Sequence, residues 1–327
     1  MALTFLALLL LLGGAVRLTQ TFLSPWKLQA PAPGAGTRSN LWNGQYNLNF
    51  VILSQSVSLA VLNPKENLIN LINIPPQTLI EVPGGFGSWQ LRSIYGLGES
   101  EEKGRGGYFI KHSLANFLGI PIDGFLKFDA EFGQKSPQRI IEVLRKNPLP
   151  SFQALSNLST DLTLWELVRI KLAIQKIRFD QVKNLDSIFL SVLEREDLPD
   201  GTQVYTGDPQ KVDSISQTLF DPAIRGENLS IAVFNATKTA QLAQQAKRMI
   251  ANMGGNVIVA TNAQKLTKRS QVRGQDSKTL ERLKGLFDLG CSKDPKCDKI
   301  VESDLGLAAS RAQVLVILGE DSIPYLK

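Results

Sequence analysis

His112 is the only histidine in 327 residues, and Cys291 and Cys297 are the only cysteines. A Ser-His-Asp or Cys-His relay would therefore have to be built around His112. A zinc cluster needs three or four N or S ligands, more than this set supplies, so no metal is expected. The cysteines form C-x5-C with Lys293, Asp294, Pro295 and Lys296 between them. That is not the redox C-x-x-C spacing; in an exported protein it reads as a disulfide closing a small loop. What remains for chemistry is charge. Arg92, Lys103, Arg105, Lys111 and His112 surround a Gly-rich stretch, Gly96 to Gly107 (GLGESEEKGRGG), and could form an anion site. The competing reading is solvated loop charges beside a helix-face histidine. The stretch matches neither G-x-G-x-x-G nor the P-loop, and Glu99, Glu101 and Glu102 would repel a phosphate. Nucleotide binding is therefore disfavoured.

A second basic group lies further on. From Lys247 to Arg273 the chain carries Lys247, Arg248, Lys265, Lys268, Arg269 and Arg273 and no acidic residue. Such a stretch suits an anionic polymer or a lipid headgroup, and a solvated loop equally. No aromatic residues interleave with it and no nucleic-acid reader motif is present, so nucleic acid is not expected. The candidate anion-binding residues are thus Arg92, Arg105, Lys111, Lys265, Lys268 and Arg269, with no catalytic residue assigned.

The elements that must position these groups divide the chain. With 36 Lys and Arg against 30 Asp and Glu, the net charge is +6. Leu229 to Lys327 holds 15 basic and 9 acidic residues, so the whole excess lies there and the rest balances. A boundary near residue 228 follows. The length fits two domains, and 43% hydrophobic with 20% charged residues excludes a disordered, collagen-like or polytopic membrane chain.

Met1 to Val16 (MALTFLALLLLLGGAV) carries no charge. It is short for a bilayer core of about 30 Å, but extension to Leu23 completes a span if Arg17 snorkels. A signal-peptide core is the competing reading, with Ala30-Pro31-Ala32 a weak cleavage candidate. Arg17, Lys27 and Arg38 follow the run and none precedes it, which taken literally keeps the remainder cytoplasmic; because the run begins at Met1 that bias is discounted. The Pro-, Gly- and Ala-rich stretch that follows reads as a stalk.

Beyond it, Asn47–Leu53, Ser58–Leu62 and Leu68–Ile74 predict strands, the last two a hairpin around Asn63–Asn67. Gly84–Gly87 and Gly96–Gly107 read as loops, Tyr108–Leu118 and Pro137–Lys146 as helices and Gly124–Asp129 as a buried strand. Leu167, Ile170, Ile174 and Ile177 at 3-4-3 spacing predict a helix over Thr163–Ile177, capped from Asn157–Asp161. After residue 229, a strand Ser230–Phe234, an amphipathic helix Lys238–Met253 ended by Gly254-Gly255 and a strand Asn256–Ala260 make a β-α-β unit. A helix Ser277–Phe287 and a strand Gln313–Leu318 complete it.

VLNPKENLINLINIPPQTLIEVPG (Val61–Gly84) followed by NFLGIPIDGFLKFD (Asn116–Asp129) resembles the LytR-CpsA-Psr family of envelope proteins. The likeness extends weakly through Asn157–Asp186 and Tyr205–Phe220. It implies a domain that moves a glycopolymer from a polyprenyl pyrophosphate to the cell wall, with Arg residues gripping the pyrophosphate and Asp residues binding a divalent metal or deprotonating the acceptor. Residue by residue, the expected Asp falls at Gln55 and the expected Arg-Asp pair at Pro76-Gln77; Thr78 alone survives. Ala130 to Ser156 replaces a longer section carrying further Arg residues, and no Tyr-x-Arg occurs. IAVFNATKTAQLAQQAKRMIANMGGNVIVATNA and AQVLVILGED resemble the LytR C-terminal domain, an interaction module without known catalysis.

The expected α/β protein thus has an anchor or signal segment over 1–23, a stalk over 24–43, a truncated LytR-CpsA-Psr-like α/β sandwich over 44–222 and a smaller LytR C-terminal-like α/β domain over 229–327. It is expected at the cell membrane, single pass, folded domains extracytoplasmic, as a non-catalytic pseudoenzyme binding a wall polymer or polyprenyl-linked glycan. The alternative is a divergent active transferase using the Arg92–His112 neighbourhood, with magnesium as cofactor only in that case. A transcriptional role rests only on the family's historical label, and the anchor argues against it.

Overall fold

The computed structural model describes residues 41–128, 135–146, 158–288 and 311–326, with Cys291, Cys297, Ile300 and Leu305. The anchor and nearly all of the stalk lie outside these residues. Among the described residues no helix is long and apolar enough to cross a membrane.

The first half forms around a six-stranded mixed sheet. In chain order come β1 (Leu48–Leu53), β2 (Val57–Asn63), β3 (Leu68–Ile74), a small hairpin of β4 (Leu79–Val82) and β5 (Gly87–Gln90), then helices α1 (Leu91–Glu101) and α2 (Gly106–Leu118). After β6 (Gly124–Phe128), α3 (Pro137–Lys146), β7 (Leu158–Thr160) and α4 (Leu164–Lys176), the chain adds β8 (Val182–Asn184) and α5 (Asp186–Leu190). A second hairpin, β9 (Leu193–Asp197) and β10 (Gln203–Gly207), leads through α6 (Pro209–Ser216) and α7 (Pro222–Glu227) to the C-terminal unit. The large sheet has the order β7-β6-β1-β2-β3-β8. β1–β2–β3 is an antiparallel meander, and β6 and β8 add in parallel at its two sides.

The period-two pattern explains both faces. Val51, Leu53, Leu59, Val61, Ile72 and Ile74 point to the side covered by α1 and α2. Phe50, Ile52, Ala60, Leu62, Ile69 and Leu71 point to the side covered by α3 and α4. β1, buried along its whole length, needs apolar residues on both faces.

The C-terminal unit is β11 (Ser230–Asn235), α8 (Leu242–Asn252), β12 (Asn256–Asn262), β13 (Gln271–Gly274), α9 (Lys278–Phe287), β14 (Val314–Leu318) and α10 (Ile323–Leu326). Its sheet order is β12-β11-β14-β13, with β11 parallel to both neighbours and β13 antiparallel to β14. One apolar cluster runs from Val51 and Phe125 through Leu219 to Ile231, Leu242 and Leu280, so the two units share a core.

Three expectations are corrected. Gly96–Gly107 is largely helix: α1 runs through Gly96 and Gly98, and only residues 102–105 break it from α2. Gly98 faces the Arg105 carbonyl so closely that a Cβ would sit 2.8 Å from it, which is why a glycine stands inside the helix. The cap of α4 is Thr163, not a residue of the 157–161 run, of which 158–160 are strand β7. Thr163 Oγ1 accepts from the Glu166 amide at 3.2 Å and Glu166 Oε2 accepts from the Thr163 amide at 3.0 Å, a capping box. Finally, α8 starts at Leu242 rather than Lys238. Asn235 Oδ1 accepts from the Thr237 amide and hydroxyl, and Gln241 adopts φ +70°, so side chains hold the intervening residues in turns.

Candidate functional site

Strand register gathers one end of the large sheet. Leu53 pairs with Val57 and Val57 with Ile74, while Leu53 also lies beside Lys127. The β1–β2 turn with Gln55, the Pro75–Thr78 turn and the end of β6 therefore sit together, where the resemblance puts its pyrophosphate and metal groups. Gln55 is exposed and Thr78 is buried, with Oγ1 lacking a hydrogen-bond partner. The Pro76 carbonyl accepts from the Arg92 amide at 3.1 Å and the Thr78 carbonyl from the Leu91 amide at 2.9 Å. These first two amides of α1 are the donors a helix N-terminus would offer an anion, and both are bonded to backbone.

A carboxylate that the sequence reading missed lies at the same end. Asp186 Oδ1 accepts from the Asn73 amide at 2.7 Å and Oδ2 from Asn73 Nδ2 at 2.8 Å. Ser56 and Ser58 donate to Asn73 Oδ1. The cluster ties α5 to β3 and engages both Asp186 oxygens. With Gln55, Pro76 and Gln77 offering no carboxylate, the described residues at this end do not fit magnesium. Among the described residues no group of three or more His, Cys, Asp or Glu could hold a metal ion.

The basic residues around α1 and α2 have different surroundings. Arg92 and Lys103 are exposed. Arg105 lies 3.8 Å from Glu102, with its guanidinium 5.8 Å and 5.4 Å from the Tyr108 and Phe109 ring centres. Lys111 is ion-paired to Asp161, whose other oxygen accepts from the Phe125 amide at 3.0 Å. His112 packs on Tyr108 with ring centres 4.2 Å apart. Glu99 accepts from the Gly104 amide at 3.1 Å and the Gly106 amide at 3.0 Å. The amides of the Gly-rich segment thus end on a carboxylate, which occupies the place of an anion at the start of α2.

The C-terminal unit presents a different arrangement. Lys265, Lys268 and Arg269 are exposed on the segment joining β12 to β13, beyond the carboxyl ends of parallel strands β11, β12 and β14. In open α/β sheets that edge is where ligands bind. Lys238, exposed on the loop after β11, lies at the same edge and was missed because it reads as part of the helix. The segment is well anchored. The Thr267 amide donates to the Ala236 carbonyl at 2.9 Å, and the Ser270 amide and hydroxyl donate to Asp321 Oδ1 at 2.8 and 2.6 Å. A Cβ on Gly319 would meet Arg269 backbone at 2.5 Å, so this close approach requires glycine. Burial pushes the Asp321 carboxyl above its ordinary range, against lowering by the Ser270 bonds and Arg269.

The other members of the six-residue basic stretch are separated from that edge. Arg248 Nε donates to both Asp213 oxygens at 2.9 Å, while Nη1 and Nη2 donate to the Asn116 and Phe117 carbonyls at 2.6 and 3.0 Å. Arg273 donates to the Ile300 carbonyl at 2.6 Å and to Gln271 Oε1. Lys247 is exposed on α8. Cys291 and Cys297 are joined as a disulfide with Cα atoms 5.3 Å apart. An open depression of about 430 Å³ beside α9, lined by Glu227, Asp276, Lys278, Glu281 and Lys284, mixes both signs of charge.

Residues 228–321 match the LytR_C family model, described as LytR cell envelope-related transcriptional attenuator. No curated protein matches the chain. Among solved structures it is similar to TagT of B. subtilis, at 14% identity over 55% of this chain and 92% of that one, TM-score 0.39. TagT bound to LIIa-WTA is similar at 14% identity over 56% and 93%, TM-score 0.43. The LytR-CPS2A-psr family protein YwtF (TagT) with bound octaprenyl pyrophosphate lipid is similar at 16% identity over 56% and 92%, TM-score 0.39.

Proposed function

We propose that this is a membrane-attached cell-envelope protein, its folded part extracytoplasmic, that binds an anionic wall polymer or polyprenyl-linked glycan without transferring it. The observation that carries this reading is the anchored basic edge of Lys265, Lys268 and Arg269 within the LytR_C-matching unit. A polyanion meeting three fixed cations on one segment gains contacts whose strength falls with ionic strength. Absence of transfer is supported within the first unit. Gln55, Pro76 and Gln77 replace the charged groups the reaction would need, and backbone carbonyls and Glu99 occupy the amides at both helix starts. The transferase reading retains exposed Arg92 and the unpartnered hydroxyl of Thr78.

Sedimentation of the full chain with purified cell wall tests the binding. We expect co-sedimentation at low salt, weakened by salt and by the triple substitution K265Q/K268Q/R269Q. No co-sedimentation at low salt overturns the proposal. In the same preparation, a polyprenyl-pyrophosphate glycan and magnesium should give no product; product formation abolished by Arg92→Ala would establish the transferase instead.

A further inference from the structure

The outermost layer of the first unit carries an apolar stripe that its own fold leaves uncovered. α4 buries Glu166, Ile170, Lys171 and Ile174 toward the sheet. Its opposite side shows Trp165, Val168 and Leu172, at 41%, 38% and 54% exposure. Their i, i+3, i+7 spacing makes one stripe. Phe179, just past the helix, continues it at 75% exposure. Cations rim the stripe. The Arg169 guanidinium lies 4.9 Å from the Trp165 ring centre and that of Arg145 5.7 Å from Phe179. Lys146, Lys176 and Arg178 are exposed beside them. Half-buried Glu142 and exposed Asp180 are held by the layer's own cations: Glu142 by Arg139 and Lys146, Asp180 by Arg178. Those two partners lower the Glu142 pKa to about 2, so it stays charged and paired.

The chain enters the folded body at this helix. The Trp42 amide donates to Glu166 Oε1 at 3.0 Å, and Arg169 Nη1 donates to the Trp42 carbonyl at 3.4 Å. The apolar run Met1–Val16 therefore leads, through the residues after it, to the rim of the stripe.

We infer that the α4–Phe179 face rests on an anionic lipid bilayer, with Trp165, Val168, Leu172 and Phe179 in the headgroup region and the surrounding Arg and Lys on lipid phosphates. An exposed apolar stripe bordered by long cations is the pattern of an interfacial helix. A symmetric contact with a second copy would set the same cations against each other, which disfavours that occupant. The inference rests on the proposed membrane attachment, and two readouts on the full chain separate them.

The test uses the full chain carrying W26F, bound to vesicles of brominated phosphatidylcholine and phosphatidylglycerol. Flotation reads attachment and tryptophan quenching reads the face. We expect flotation with strong quenching, most of which is lost in W165F and little in W89F, whose tryptophan lies on the β4–β5 hairpin. Quenching should also fall when phosphatidylglycerol is omitted. Flotation with quenching indifferent to W165F overturns the face while leaving attachment standing. That result is the one expected if the N-terminal run or a second copy covers the stripe. Failure to float overturns both.

Discussion

Arg282 is the most consequential single side chain outside any candidate site. It projects from α9 into the junction of the two units, where Nη1 and Nη2 donate to the Asp123 oxygens at 2.7 and 3.0 Å. Its guanidinium also lies 4.7 Å from the Tyr46 ring centre. Burial alone would depress its pKa, but the Asp123 carboxylate, with Tyr46 and Asp221, outweighs this and raises it. Nε has no partner, and the Oδ1 atoms of Asn47 and Asn49 are likewise buried without one. Breaking a buried pair leaves an uncompensated charge and costs about 3–5 kcal/mol. Arg282→Met should therefore lower stability by that amount in urea denaturation, and adding Asp123→Asn should recover part of it. Recovery is the informative result, since it separates a stranded Asp123 charge from lost packing. None of this was legible in the sequence. Asp123 stood out only as the end of Gly-Ile-Pro-Ile-Asp, and Arg282 reads as an ordinary cation on an amphipathic helix. The partner of each is 159 positions away.

At the scale of elements, legibility followed periodicity. The β2–β3 hairpin, α2, α4 and the β11–α8–β12 unit each carry a clear apolar repeat, and each forms where the repeat lies. α1 has no such advertisement. Gly96, Gly98 and a run of acids mask it, and packing of Leu91 and Ile94 holds it in place. The basic stretch after Lys247 divides for a related reason: adjacent charges on a helix face different neighbours. Lys247 meets solvent, whereas Arg248 and Asn252 reach across to close the C-terminal end of α2. Asn252 Nδ2 donates to the Gly119 carbonyl at 3.0 Å, beside the Arg248 bonds to residues 116 and 117. Gly119 itself takes φ +62°, the left-handed turn that ends the helix. Arg248→Met removes hydrogen bonds between charged and partly buried groups, each worth about 1.5–3 kcal/mol. The adjacent Lys247→Met should stay within about 0.5 kcal/mol of the parent. Equal effects of the two substitutions in thermal or urea unfolding would mean that Arg248 does not join the units.

For the whole molecule, sequence reading expects two modules, and the charge arithmetic supports a boundary near residue 228. The fold joins them more closely than that boundary suggests. The apolar cluster of the first sheet continues into the C-terminal unit. Asp123–Arg282 and Asp213–Arg248 cross between the units, and Tyr108 donates to the Pro324 carbonyl at 2.7 Å. Glu227, at the end of α7, accepts from the Lys278 and Thr279 amides at 3.0 and 2.8 Å and so holds the first turn of α9. Units sharing a core and several polar ties should unfold together. The tryptophans make this measurable, because Trp26, Trp42, Trp89 and Trp165 all precede the boundary. Fluorescence therefore reports the first unit, while far-ultraviolet circular dichroism reports both. The two signals should give one urea midpoint. Two midpoints in the parent would show that the junction does not couple the units. If they coincide in the parent and separate in Arg282→Met, the coupling passes through the buried pair. The basic edge at Lys265–Arg269 would then be held in fixed relation to the first unit, so a polymer bound there would load the whole fold rather than a tethered module.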